Sequence, residues 1–398
     1  MNHPIPILLL SDAPEQLTGL ARMGRDLAVL LSSMPEFRVG YMAMGGTGRR
    51  KFPWVEYHFP ETPNFGAEYI AGFWSDFAGS DRGVIMSLWD ASRMLWFGQP
   101  QQLAQSNPDL ARFLGTGRSF AKWGYFPVDS SGPNPETLPS GHIAAISGYD
   151  RVCAASDWGR QLLWQSGRPD ADWLPHGLWL DTFKYKADAR ELLDIPKDAV
   201  VLGCVMANQA RKDWAVAFEA ASILKNNHGN RFRFWAHTDR IIHYWNLYAL
   251  AADYGLSDCL TISLDSTDLQ MAQRYSTCDV TMLPSAGEGF GFPIVESLAC
   301  GVPCVVTKYA GGAELVLEQH QVEPMSYRID TQHNTRRAVL PAYGFSNVVN
   351  GLIEQRRVDV EEQREQAMAR VAHLDWNKLK HVWMRWLHEG AAQFGGRA

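Results

Sequence analysis

At 398 residues the chain is too long for one ordinary core, and two domains are expected. Hydrophobic residues make up 46% and charged residues 20%, a soluble globular composition, and no apolar run approaches the ~20 residues that a membrane-spanning helix needs. The net charge of −6 and a pI of about 6.1 do not suggest a protein held to nucleic acid by bulk electrostatics, and a local basic groove stays possible.

The N-terminus, Met1-Asn2-His3-Pro4, lacks the basic start and small-residue cleavage site of a signal peptide. Six cysteines (Cys153, Cys204, Cys259, Cys278, Cys300 and Cys304) form no CxxC pair, and most lie in or beside apolar runs. Buried, reduced thiols and a cytoplasmic location are the expectation.

Pro6 to Leu10 reads as a buried strand, followed by a helix over Thr18 to Leu31 with Leu20, Met23, Leu27, Leu30 and Leu31 at helical spacing. Arg38 to Met44, Gly83 to Trp89, Lys122 to Val128 and Arg151 to Ala155 read as further strands, and Asp157 opens a helix. Asp129 to Gly141 is a Ser-, Pro- and Gly-rich loop, and the polar stretch Ser166 to Asp172 is the expected domain junction. The alternation then restarts. Ala199 to Met206, Arg231 to Ala236, Cys259 to Leu264, Val280 to Leu283 and Cys304 to Thr307 are strands, and Trp214 to Lys225 is a helix. Val358 to Val371 is a charged helix, and Trp376 to Phe394 a helix whose apolar face (Leu379, Val382, Trp383, Trp386, Leu387) must pack on something. Strand–helix alternation through both halves predicts two parallel, doubly wound α/β domains, with ligands at the carboxyl ends of the strands.

The chemistry is concentrated in Ser285-Ala286-Gly287-Glu288-Gly289-Phe290-Gly291-Phe292-Pro293-Ile294-Val295-Glu296. The loop follows a strand and leads into a helix with Pro293 in its first turn, where a missing N–H costs nothing, and Gly301 as its left-handed cap. Free amides at a helix start attract phosphate, and Gly289 and Gly291 let the backbone come close. Glu296, read as lying in the first turn among apolar neighbours, needs donors such as a ribose diol. Glu288, in the loop, suits sugar hydroxyls. The alternative for each glutamate alone is mundane: a dipole-assisted helix carboxylate and a solvated loop residue. The two together with the glycines and Pro293 favour a nucleotide-sugar grip.

Glu288-x7-Glu296 within EGFGFPIVESLACGVPCV resembles the donor-site signature of the retaining glycosyltransferases of family 4, which have the GT-B fold. The likeness extends upstream through Tyr275 to Ser285, downstream to Gly311-Gly312-Ala313-Glu314, and to Leu174-Pro175-His176-Gly177, which looks like the opening of that family's second domain. It implies two Rossmann-like domains facing across a cleft. Residues 1–172 would bind the acceptor, residues 173–375 the donor, and the helix 376–398 would pack back on the first domain. The resemblance also implies a sugar transfer from a nucleotide-diphospho-sugar to an acceptor hydroxyl with retention of configuration. The donor is then a co-substrate, and no metal or other cofactor is expected. By the same resemblance Glu288 contacts the transferred sugar and Glu296 the ribose. Amides near Phe290, Gly291 and Gly312 would meet the diphosphate, as would Arg211 and Lys212, which lie closer together than that family's usual pair of cations.

Gly19 sits where the first-domain loop of the family approaches donor and acceptor, and Asp90 is a candidate to orient or deprotonate the acceptor hydroxyl. His176 is expected to make structural contacts. Asp170-Ala171-Asp172 looks like the metal-binding DxD of the other major glycosyltransferase fold but is read as solvated. No cluster has metal-ligand spacing. Arg336-Arg337 and Arg356-Arg357 are read as solvated faces, and Arg49-Arg50-Lys51 as the same or as a contact for an anionic acceptor. The acceptor itself (glycan, lipid-linked sugar, small molecule or modified nucleobase) is not specified by the sequence, nor is peripheral contact with a membrane. A glucosyltransferase acting on nucleic acid, a GT-B sugar-nucleotide epimerase or phosphorylase, and a non-catalytic nucleotide-binding module are the competing readings.

Overall fold

A computed structural model describes residues 3–395. The chain divides into two compact units, one comprising residues 1–175, 331–335 and 380–398, the other 176–330 and 336–379.

The first unit is built on seven strands: β1 Ile5–Asp12, β2 Phe37–Met44, β3 Val55–Phe59, β4 Gly83–Ser87, β5 Phe120–Phe126, β6 Arg151–Ala154 and β7 Asp172–Trp173. They lie in the order β3-β2-β1-β4-β5-β6-β7, every pair parallel. The strands read as near-continuous apolar runs because helices cover both faces of such a sheet. Ile7, Leu8, Leu9 and Leu10 in β1 are all fully buried. Thr18 caps the first helix, Gly19–Ser32, accepting from Ala21 N at 3.0 Å.

The second unit carries β8 Val200–Val205, β9 Phe232–His237, β10 Leu260–Ser263, β11 Val280–Leu283, β12 Cys304–Thr307 and β13 Gln321–Val322, parallel in the order β10-β9-β8-β11-β12-β13. A separate antiparallel hairpin joins β14 Ser326–Ile329 to β15 Arg336–Val339. Both sheets reverse direction of winding once, at β1/β4 in the first unit and at β8/β11 in the second. In open α/β sheets the crevice outside the strand ends at such a switch point is where ligands bind.

Several expectations need correction. The division between the units falls just after the expected junction, at Pro175/His176, and Ser166 to Asp172 is itself ordered within the first unit: Ser166 Oγ accepts from Leu138 N at 2.8 Å, the buried Arg168 donates to Ile146 O, and Asp172 begins β7. Asp170 and Asp172 are not simply solvated. Arg168 grips Asp170 with two nitrogens at 2.8 and 2.6 Å, and Asp172 accepts from Trp386 Nε1 at 2.6 Å. Arg337 is buried, and Arg356 pairs at 3.2 Å with Asp279 with its side chain 10% exposed, so only Arg336 and Arg357 of those pairs reach solvent appreciably. The helix Ala342–Val358, which precedes the expected charged helix, had no clear signal because its apolar residues are diluted by Asn, Gly and Ser.

The last helix, Trp376–Gly395, belongs to the first unit from Lys380 onward. There Trp383 packs edge-on against Tyr125 at 4.9 Å and donates to Pro175 O, while Trp386 packs on Trp123 at 5.2 Å. All six cysteines are buried and free. Among the described residues no helix is long and apolar enough to cross a membrane.

Candidate active site

At the β8/β11 switch point two loops meet. One follows β8 and carries Asn208 to Lys212. The other follows β11 and runs from Pro284 to Gly291 into the helix Phe292–Ala299. Ala286 N donates to Arg211 O at 2.8 Å and Asp213 N to Pro284 O at 3.1 Å. The second loop is tied elsewhere too. Thr307 Oγ1 donates to Ser285 O at 2.7 Å, Ala338 N to Ala286 O at 3.1 Å, and Gly312 N to Glu288 O at 3.1 Å. A glycine-rich loop that would otherwise be mobile is held from three directions.

The outcome is a charged cluster around Glu288, which is 8% exposed. Its Oε1 accepts from Arg211 Nη1 at 2.6 Å and from Lys212 Nζ, which is itself buried. Arg211 Nη1 also reaches Gly287 O at 2.9 Å. Burial alone would raise the Glu288 carboxyl, but Arg211 and Lys212 together outweigh it and hold the group below its ordinary value. Removing one partner from such a buried set leaves an uncompensated charge, at a cost of about 3–5 kcal/mol. A small, partly open cleft adjoins Glu288, bounded by Ser285, Ile294, Thr307, Tyr309 and Gly312 among others.

The helix start is shaped by glycine. Gly291 is its cap residue at φ 89°, and a Cβ there would lie 2.7 Å from Ile294 Cδ1. A Cβ on Gly312 would stand 3.0 Å from that of Glu288, a tight contact that marks how closely these two segments approach. Gly289 is buried in the same loop. The ring of Phe290 is taken up by other rings. It packs on Phe292 at 5.3 Å and on the fully buried His176 at 5.9 Å, and His176 meets Trp376 at 4.9 Å. His176 therefore anchors the loop through rings.

Glu296 is corrected in one respect: it lies in the second helical turn, not the first, because the helix starts at Phe292. The end dipole, which fades within the first turn, acts on it less than expected. It is 5% exposed, and its Oε2 accepts from the hydroxyl of the fully buried Tyr275 at 2.7 Å. Tyr275 is a positioning group that sequence reading did not single out, although it lies within the stretch carrying the resemblance. Asn208 was likewise passed over as a support. Fully buried, it donates from Nδ2 to Arg240 O and Trp245 O and accepts from Trp245 N, locking the loop that bears Arg211 and Lys212.

In the first unit the candidates gather at the β1/β4 switch point. β4 ends at Ser87, so Asp90 lies beyond the strand, half-buried at the start of a 3-10 turn, Ala91–Arg93. Gly19 is the first residue of its helix and exposed. Between them stands Asp12, which carries no sequence motif. It accepts from Trp89 Nε1 at 3.0 Å and Thr18 Oγ1 at 2.7 Å and pairs with Arg93 at 3.5 Å. Among the described residues no group of three or more His, Cys, Asp or Glu is placed to hold a metal ion.

Residues 186–323, all within the second unit, match the family model described as Glycosyl transferases group 1. Curated relatives include D-inositol 3-phosphate glycosyltransferases of Geodermatophilus obscurus, 31% identical over 45% of this chain and 42% of that protein, and of Acidothermus cellulolyticus, 30% identical over 45% and 43%. The chain thus spans less than half the length of these relatives. Solved structures similar in fold include sucrose-phosphate synthase from Thermosynechococcus elongatus (TM-score 0.74, 16% identity, 98% of this chain and 100% of that one). HepE from Anabaena, in complex with UDP and glucose, gives a TM-score of 0.70 at 16% identity over 97% and 100%. These likenesses show the GT-B fold, as expected from the sequence.

Proposed function

We propose that the protein is a glycosyltransferase that moves a sugar from a nucleotide-diphospho-sugar to an acceptor hydroxyl with retention of anomeric configuration. The observation that carries this reading is Glu288, buried at a switch point between two cations and beside a helix start. The match of residues 186–323 to the group 1 model supports it, as does the capture of UDP and glucose by a protein of the same fold.

On this reading Arg211 and Lys212 exchange their internal partner for the diphosphate, and Glu288 turns to the sugar hydroxyls. The amides of Phe290 and Gly291 face the phosphates, whereas that of Gly312, a further candidate, is engaged by Glu288 O and serves to hold the loop. Glu296, oriented by Tyr275, takes the ribose hydroxyls. The C–O bond from the anomeric carbon to the diphosphate breaks. The acceptor oxygen bonds to that carbon on the same face, and its proton passes to the departing diphosphate oxygen. The protein contributes position and charge stabilisation. Residues 1–172 bind the acceptor and 173–375 the donor. Asp90 belongs to the acceptor side, Gly19 adds a first-unit contact to the donor, and the reaction needs no metal or cofactor.

Glu288→Gln keeps the shape and removes the charge. We expect transfer to fall by about a hundredfold or more while nucleotide affinity changes by less than about tenfold. Turnover with the donor sugar and calorimetric titration with the nucleotide check this together. Equal loss of both would sink the assigned role.

A further inference from the structure

Far from Glu288 in sequence, the loop after β2, Gly45-Gly46-Thr47-Gly48-Arg49-Arg50-Lys51, wraps its backbone around a carboxylate of the same unit. Glu15 Oε1 accepts from Thr47 N, from Thr47 Oγ1 at 2.9 Å and from Gly48 N at 3.2 Å; its Oε2 accepts from Arg50 N at 3.3 Å. Three amides and a hydroxyl converging on one point form an anion-binding concavity of the kind that backbone nests make. Gly45 and Gly48 stand at φ 68° and 65°, which sets the curl. A side chain at Gly46 would run into the His58 ring and Ala13, so the loop also packs tightly from below.

The rim of this nest is cationic and open to solvent. Arg49, Arg50 and Lys51 are exposed at its rim. Arg50 stacks over Phe52 at 5.0 Å, and neither Arg49 nor Lys51 makes an ion pair among the described residues. The neighbouring acid Glu56 is engaged by Trp54 Nε1 at 3.2 Å and by His58 Nε2 at 3.2 Å. Glu61, whose carboxylate oxygen lies beside Gly45, brings the acids near the loop to three, so the three cations matter for their exposure at the rim and not as a net excess. The donors hold Glu15 far below the usual carboxylate range, at about 2, with the Thr47 amide the largest cause.

We propose that this loop is an oxyanion site for a phosphate monoester, and that Glu15 fills it as an internal stand-in when the ligand is absent. A phosphate offers three acceptor oxygens and up to two charges, where the carboxylate offers two oxygens and one. It matches three amides and three cations better than Glu15 does. The segment that Glu15 leaves stays anchored, because Gln16 Nε2 donates to Met44 O at 3.3 Å and to Gly45 O at 3.0 Å. The inference goes beyond the transfer reaction and does not depend on it.

The test is a calorimetric titration of the full chain at low ionic strength with inorganic phosphate, glycerol phosphate and glycerol. Glu15→Gln removes the internal competitor and tightens phosphate binding by about tenfold or more. Adding Arg49→Gln and Arg50→Gln to it reverses the gain. Tighter binding of glycerol phosphate than of inorganic phosphate identifies an esterified ligand; the reverse identifies the free ion. Glycerol binds in neither protein. Phosphate binding unchanged by Glu15→Gln, or a gain that survives loss of both arginines, overturns the proposal. In the unsubstituted protein the Thr47 and Gly48 amide resonances move with phosphate, a readout independent of how the variants fold. If those resonances stay still at saturation of any other site, the proposal fails.

Discussion

Tyr275 and Glu296 show how a catalytic-looking carboxylate depends on a neighbour. Both are buried, and the tyrosine hydroxyl donates 2.7 Å to the carboxylate. A hydrogen bond to a charged acceptor contributes about 1.5–3 kcal/mol. Tyr275→Phe therefore lowers stability by about that amount and lets the carboxylate rotate away from the position proposed for the ribose. In kinetics the KM for the donor should rise several-fold with kcat little changed, since the ribose is distant from the bond that breaks. A large fall in kcat at constant KM would mean that Glu296 serves the reacting sugar instead. Glu288 has the opposite dependence, being set by charge: its partners Arg211 and Lys212 hold it ionised despite burial. Its contribution to stability is thus present above the ordinary carboxylate value and lost as pH falls through its lowered one.

At the scale of the element, the loop from Pro284 to Gly291 and its helix carry the site by backbone geometry. Gly291→Ala meets two obstacles, a left-handed φ of 89° and contact with Ile294. The left-handed conformation alone costs about 1–2 kcal/mol, which thermal unfolding of the variant should show as a lowered midpoint. A midpoint equal to the parent's would mean that the helix start relaxes freely and is not a rigid phosphate cradle. This element was readable from sequence because each part has a local signature: the glycines, Pro293, the glutamate spacing and the Gly301 exit. The strands were readable for a related reason, since parallel sheets bury both faces and leave apolar runs. What sequence hid was long-range. Asp12 looks like any strand end until Trp89, Thr18 and Arg93 converge on it. Arg356 looks like half of a solvated pair until Asp279 meets it in a buried setting. β3, β13 and the β14–β15 hairpin are short edge or accessory strands, whose mixed polarity gives no periodicity to detect.

For the whole molecule, each unit has its own parallel sheet and core, and the first contains a charge that burial opposes. Lys122, 2% exposed in the middle of β5, donates from Nζ to Phe97 O at 2.6 Å and lies 5.0 Å from the Phe97 ring. Burial, with Arg118 adding to it, pulls its pKa down to about 7. Between that value and the ordinary lysine range the unfolded chain binds a proton that the folded one does not, so this group's contribution to stability rises with pH there. Lys122→Met should accordingly stabilise most below pH 7 and progressively less toward pH 10, as read by urea unfolding across pH. A stabilisation independent of pH would show that the lysine is not strained by its charge. The account as a whole turns on donor capture by the second unit. Its most direct test is a thermal-shift series with UDP-, GDP-, ADP- and TDP-sugars on the intact protein and on Glu296→Gln. A ligand at a hundred times its Kd stabilises the native state by about 2.7 kcal/mol, so one nucleotide-sugar should raise the midpoint by several degrees in the parent and by clearly less in the variant. No shift from any of the four at millimolar concentration, or an equal shift in both proteins, would contradict it.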